Sequence, residues 1–207
     1  MPGKSGDSYH HGDLRAACLR AARELLEEEG RQGGGAGLSL RAVARRAGVS
    51  PTAPYRHYAD REALVAAVSA VGYRELAEKL AEAHPSPSTP ADLAEVAVAY
   101  VRFSLDHPAL FRVMFVEPCD TRSEERNEAV AAITEYVTAN VKRAFPGNDP
   151  AALTTAVWAL VHGLAFLHID GKLDAVAPEA VADNVRSAVN ALFAAAASAT
   201  STAGNSG

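Results

Sequence analysis

The chain has 207 residues, 48% of them hydrophobic, with 20 Lys and Arg against 25 Asp and Glu and a formal net charge of -5. These figures fit one large or two small soluble domains with a real core and exclude an intrinsically disordered chain. An acidic average also counts against nucleic acid, because Lys and Arg supply most of the affinity for phosphate, so that class has to be tested locally.

Alanine dominates, accompanied by Leu, Glu and Arg, and alternating β-branched runs are nearly absent, which predicts an all-α protein. The longest nearly apolar run, Ala156 to Leu167, contains His162 and Gly163 and is too short to predict a membrane span. Met1 to Asp13 is polar and lacks the apolar stretch of a secretory signal. Cys18 and Cys119 stand alone, without CxxC spacing, and are expected to be reduced, buried thiols of a cytoplasmic protein.

Punctuation divides the sequence into about nine helices. The first is expected from Asp13, as N-cap, to Glu29, with Leu14, Ala17, Cys18, Ala21, Ala22 and Leu25 on its apolar side and Gly30 as its end. Residues 31–37, with Gly33, Gly34, Gly35 and Gly37, read as a loop. The loop lacks the Gly-Lys-Ser/Thr ending and the preceding strand of a phosphate-binding loop. Short helices at Ser39 to Ala47 and Ser50 to Tyr58 follow, then a long one from Asp60 to Ala83 with Leu64, Val65, Val68, Val71, Leu76 and Leu80 inward. The proline-rich stretch from His84 to Pro90 reads as a surface connection. Beyond it, helices are expected at Ala91 to Leu105, Pro108 to Val116, Ser123 to Phe145, Pro150 to Ile169 and Pro178 to Ala197, with a disordered tail after Ser198.

Leu38 to Leu64 carries the functional information. Leu40, Val43, Ala44 and Ala47 make one buried stripe, and Arg41 and Arg45 share another face. Gly48 suits the left-handed position that ends a helix, Val49 anchors the turn, and Ser50 with Pro51 reads as an N-cap followed by proline at the first helical position. Helix, tight turn and helix make the helix-turn-helix that places its second helix in the major groove. That second element offers Thr52, Tyr55, Arg56 and His57, all able to donate to phosphates or base edges. Pro54 should keep it short and irregular at its start. From Leu38 to Arg61 there are five arginines and one acid, Asp60, a net +4, which leaves -9 for the remaining 183 residues. The basic charge is concentrated on the expected interface.

This segment resembles the DNA-binding segment of the tetracycline-repressor (TetR) family of transcriptional regulators. The resemblance is carried by Ser39, Val43-Ala44, Ala47-Gly48-Val49-Ser50, Tyr55-Arg56-His57-Tyr58, Arg61 and Leu64, and the opening Tyr9 to Arg15 is similar too. It implies that Ser39 and Arg41 approach the DNA backbone or groove edge, that Pro51, Thr52 and Ala53 lie nearest the bases, and that Tyr55, His57 and Arg61 bind phosphates. The glycine-rich insert, Pro54 in place of Leu and Arg61 in place of Lys depart from the family pattern. Ser50 and Arg56 complete the candidate DNA-binding set.

The resemblance also implies a TetR-type DNA-binding domain at residues 8–72, with its helix-turn-helix at about 39–58, and a helical effector-binding and dimerisation domain at 73–198. Trp158, His162 and Gly163 resemble a subgroup with a Trp…His-Gly motif. The last two long helices, with Ala159, Gly163, Ala188, Ala191 and Ala195 permitting close approach, are expected to form the surface of a twofold homodimer. Phe103, Phe111, Met114, Tyr136, Trp158, His162 and Phe166 are the candidate pocket residues for a largely apolar small-molecule effector, although each is also an ordinary core residue type. His162 and His168 are off one helical face with no nearby Cys, so no metal site is expected. No catalytic set and no cofactor fingerprint stands out, so the chain is not expected to be an enzyme. The implied function is a ligand-responsive regulator, typically a repressor, released from a palindromic double-stranded operator when effector binding tilts the Asp60 to Ala83 helix. The alternatives are a helical small-molecule-binding protein or enzyme with a vestigial head and an architectural DNA-binding protein without an effector.

Overall fold

The computed structural model describes residues 11–32 and 38–203, and every described element is helical. In chain order these are α1 (His11–Gln32), α2 (Leu40–Arg46), a 3-10 turn (Ala53–Arg56), α3 (Arg61–Ala83), α4 (Pro90–Asp106), α5 (Pro108–Phe115), α6 (Glu124–Ala144), α7 (Pro150–Ile169) and α8 (Pro178–Ala203). The chain divides into two compact units, one of Met1–Val71 with Ala109–Asn127 and the other of Gly72–Pro108 with Glu128–Gly207. The division falls within α3, between Val71 and Gly72, and the first unit also takes most of α5 and the segment after it.

Several ends differ from expectation for identifiable reasons. Helix α1 starts at His11 and continues through Gly30 to Gln32, so Asp13 lies inside it and one glycine does not end it. Glycine costs a helix only about 1 kcal/mol. Residues 33–37 of the glycine-rich stretch lie outside the described residues. Helix α8 extends past Ser198 to Ala203, a stretch with no glycine or proline to end it, and residues 204–207 lie outside the description.

In the first unit α1 packs on α2 and on the 3-10 turn. Leu14, Cys18, Ala21, Ala22 and Leu26 face inward, so the buried stripe ends on Leu26, four residues after Ala22, while Leu25 is only half-buried. Leu40, Val43 and Ala44 of α2 are buried too, as are Leu64, Val65 and Val68 in the first half of α3 and Phe111 and Met114 of α5, which belong to the same unit. Buried Ser69 donates to the Val113 carbonyl at 3.4 Å, a hydrogen bond from α3 to α5. Cys18 is fully buried and free, and burial pushes its thiol pKa up. Cys119 is free and only half-buried, not buried as expected, because it lies in the irregular segment after α5.

In the second unit α4 packs against both α7 and α8. Its N-terminus carries a full capping box, in which Thr89 accepts from Asp92 N–H and the Asp92 carboxylate accepts from Thr89 N–H. Such caps contribute about 1 kcal/mol. Glu95 of α4 takes two hydrogen bonds from Arg186 of α8, at 2.6 and 3.0 Å, and this pairing holds the Glu95 carboxyl below its usual range. Helix α7 is the one described helix long and apolar enough to cross a membrane by length and composition, although only a third of its apolar window is buried within the chain. The sequence reading missed this by counting only Ala156 to Leu167. Residues flanking that run are neutral, so the uncharged window is longer.

Candidate nucleic-acid interface

The interface is built outward from the end of α2. Ser39, with extended backbone, caps this helix by accepting from Ala42 N–H at 3.2 Å. At the other end Gly48 adopts φ +68°. Val49 N–H donates to the Ala44 carbonyl at 3.0 Å and Gly48 N–H to Arg45 at 3.3 Å. This is the paired arrangement that closes a helix on a left-handed glycine, so the turn forms as the sequence predicts.

The next element is a correction. In place of a helix from Ser50 to Tyr58 there is a single 3-10 turn, with Thr52 as its N-cap and no side-chain capping bond. Ser50 instead lies with its hydroxyl 3.4 Å from that of Thr52. Pro54 is buried at the second position of the turn. It has no N–H and its ring crowds the preceding turn, so Tyr55 N–H bonds to Thr52 while His57 and Tyr58 N–H both bond to Pro54. The expected irregularity is larger than anticipated and takes up the whole element.

The side chains sort into two groups. Arg41, Arg45, Ser50, Pro51, Thr52, Tyr55 and Arg56 are exposed, Tyr55 at 51%, with Ser39 and Ala53 half-buried beside them. These groups can reach a duplex. Arg46, counted with the basic face on charge alone, and Arg61, which the resemblance assigns to a phosphate, are engaged within the head. Arg46 reaches back to Glu24 and Glu28 of α1, and these carboxylates raise its pKa further. Arg61 donates through Nε to the Leu38 carbonyl at 2.9 Å and through Nη2 to Glu117 at 2.7 Å. His57 is half-buried, and its Nε2 is enclosed without a hydrogen-bond partner among the described residues, so a phosphate contact through that atom requires the ring to turn. Tyr58 beside it is 2% exposed, and burial raises its phenol to about 12. It is a core residue. The outward cationic face is therefore Arg41, Arg45 and Arg56.

The candidate pocket residues divide between the two units. Phe111 and Met114 are core residues of the first unit, and Phe103 is a core residue of the second. Tyr136 donates to the carbonyls of Leu80 and His84, at 3.2 and 2.7 Å, and so secures the end of α3. Trp158, His162 and Phe166 do come together: their rings succeed one another along α7 at 5.7 and 5.0 Å, with Trp158 52% exposed. His162 Nδ1 lies 3.0 Å from the hydroxyl of buried Tyr100 on α4, and desolvation lowers the His162 pKa. Tyr100 is the residue of this cluster that sequence reading missed; its place on the inward face of α4 was the available signal. Among the described residues no group of three His, Cys, Asp or Glu is placed to hold a metal ion.

A capped helix, a left-handed glycine turn and a short outward-facing element bearing Arg and Tyr define a helix-turn-helix DNA-binding protein. Residues 19–68 match the family described as bacterial regulatory proteins, tetR family, and residues 93–201 match the tetracyclin repressor-like C-terminal domain. The chain belongs to the TetR family of transcriptional regulators. It is similar to the HTH-type transcriptional regulator YobS of Bacillus subtilis, 24% identical over 162 residues that cover 75% of this chain and 79% of that one. Among solved structures, a protein of unknown function from Rhodococcus sp. RHA1 is 32% identical, with TM-score 0.69 over 89% of this chain and 97% of that one. FadR of Bacillus subtilis, solved in complex with stearoyl-CoA, shares the fold at 16% identity, with TM-score 0.65 over 86% of this chain and 97% of that one.

Proposed function

We propose that the chain is a cytoplasmic, homodimeric repressor that leaves a palindromic operator when a largely apolar small molecule binds its C-terminal domain, and that it has no catalytic role. The carrying observation is the exposed set Arg41, Arg45, Tyr55 and Arg56 around the Gly48 turn, within the segment matched to the family's DNA-binding region. Phosphates would be met by Arg41, Tyr55 and Arg56, and by Arg61 once its guanidinium leaves Glu117, and base edges by Pro51, Thr52 and Ala53. The exposed small and apolar residues of α7 and α8, Ala159, Gly163, Ala191 and Ala195, support their use as the dimer surface, since close helix approach favours such residues. Trp158, His162, Phe166 and Tyr100 are the best-supported ligand contacts in the second unit. The acyl-CoA bound to the related FadR favours an apolar effector.

The test is binding of the full chain to the duplex upstream of its own gene across a salt series. A specific complex is expected, and Arg41→Gln should reduce the slope of log affinity against log salt by about one per contacted phosphate. Absence of any specific complex at low salt would refute the DNA reading. A thermal-shift panel of apolar compounds tests the effector, and a uniformly flat panel would refute ligand control.

A further inference from the structure

Arg61 opens α3, and the family resemblance assigns it to a DNA phosphate, yet its guanidinium is already committed within the first unit. Its Nε donates to the carbonyl of Leu38, the residue before the α2 cap, and its Nη2 donates to Glu117. Nε and Nη2 form one edge of the guanidinium, the edge suited to a paired grip on a phosphate or carboxylate. Glu117 lies 56 residues further along, in the segment that follows α5. That segment is fastened to the head on both sides of it. Ser69 bonds to the Val113 carbonyl, and Asp120 N–H donates to the Glu62 carbonyl at 3.2 Å. Asp120 in turn holds Arg122 at 3.0 Å. The Glu117 carboxylate is thus presented to Arg61 from an anchored segment.

We propose that Glu117 is a built-in competitor for the phosphate that Arg61 binds, so that it sets the affinity of the head for the DNA backbone. The proposal rests on the DNA-binding reading. A carboxylate and a phosphate oxygen use the same N–H groups, and Arg61 cannot serve both on that edge. The pair is about one-third exposed on each side, a setting in which ion pairs are weak and exchangeable. Contacts that hold the segment after α5 in place therefore oppose DNA binding, and contacts that draw it away favour binding.

The experiment compares wild-type protein, Glu117→Gln, Arg61→Ala and the double variant for binding to a random-sequence duplex across a salt series, with thermal unfolding recorded for each. Backbone contacts are independent of sequence, so no operator is needed. Glu117→Gln should bind about three- to tenfold more tightly at low salt, with a slope steeper by about one per protomer. The double variant should bind no better than Arg61→Ala alone, because the two residues act as a coupled pair. Equal or weaker binding by a folded Glu117→Gln overturns the proposal. If Glu117→Gln unfolds early, Glu117→Ala and Glu117→Asp are read instead: Ala must tighten binding while Asp retains wild-type affinity, and any other order overturns it. If the wild type itself is not retained on the duplex and Arg41→Ala changes nothing, the underlying DNA reading has failed.

Discussion

Replacing Gly48 with Ala isolates the backbone requirement of the turn. Gly48 has φ +68°, and an added Cβ meets nothing within 4 Å, so no steric clash contributes. An L-residue in the left-handed region costs roughly 1–2 kcal/mol. The stiffer unfolded chain of the Ala variant returns about 0.4–1 kcal/mol of this, leaving a net loss of about 0.8 kcal/mol at the midpoints of the two ranges. Asn tolerates the same conformation far better, so Gly48→Asn should lose about half as much. Urea unfolding followed by helical circular dichroism measures the difference, and the midpoint should move with little change in slope. An Ala variant as stable as the wild type would refute the left-handed turn. A loss above about 3 kcal/mol would exceed any backbone cost and show that Gly48 is packed.

Three further outcomes are expected. Arg46→Gln should lower the thermal midpoint of the head while leaving the salt slope of DNA binding unchanged, because Arg46 is tied to Glu24 and Glu28; a shallower slope with unchanged stability would place it on the DNA. Tyr136→Phe leaves the Leu80 and His84 carbonyls without this donor and should cost about 1–2 kcal/mol in urea unfolding; a neutral result would show that water replaces it. His162 has its folded pKa lowered from 6.5 by desolvation, so the unfolded chain takes up the proton first. Its contribution to stability is complete above pH 6.5 and is lost as pH falls from there through the lowered value. Replacing His162 by Gln should flatten the melting temperature against pH in that window, and an unchanged profile would discount the residue.

The helix-turn-helix was legible because its signals are local. The stripe of Leu40, Val43 and Ala44, the Ser39 cap and the Gly48 turn all depend on residues within one or two turns of each other. The roles of Arg46 and Arg61 were not legible, since their carboxylate partners lie 18, 22 and 56 residues away and no periodicity connects them. Summing charge over a segment treated all five arginines alike, whereas tertiary pairing leaves three facing outward. The 3-10 turn shows a different limit. Pro54 signalled irregularity, but a propensity argument does not say whether one proline shifts the start of a helix or replaces the helix altogether. Among the pocket candidates Phe103, Phe111 and Met114 are buried in the cores of their own units, the usual place of large apolar side chains on helices, and residue type alone does not separate that use from ligand contact.

The first unit is discontinuous, with Ala109–Asn127 completing what the first 71 residues begin, and this gives its folding an order in time. As the chain emerges from the ribosome, α1, α2 and the start of α3 appear long before Phe111 and Met114, which are 0% and 2% exposed in the finished molecule. Until residue 127 is free, the nascent head presents an open apolar face to whatever is nearby, the condition that recruits chaperones and promotes misassembly. Any attempt to transplant this head as a module must therefore carry α5 with it, or supply a substitute for the two side chains that close it.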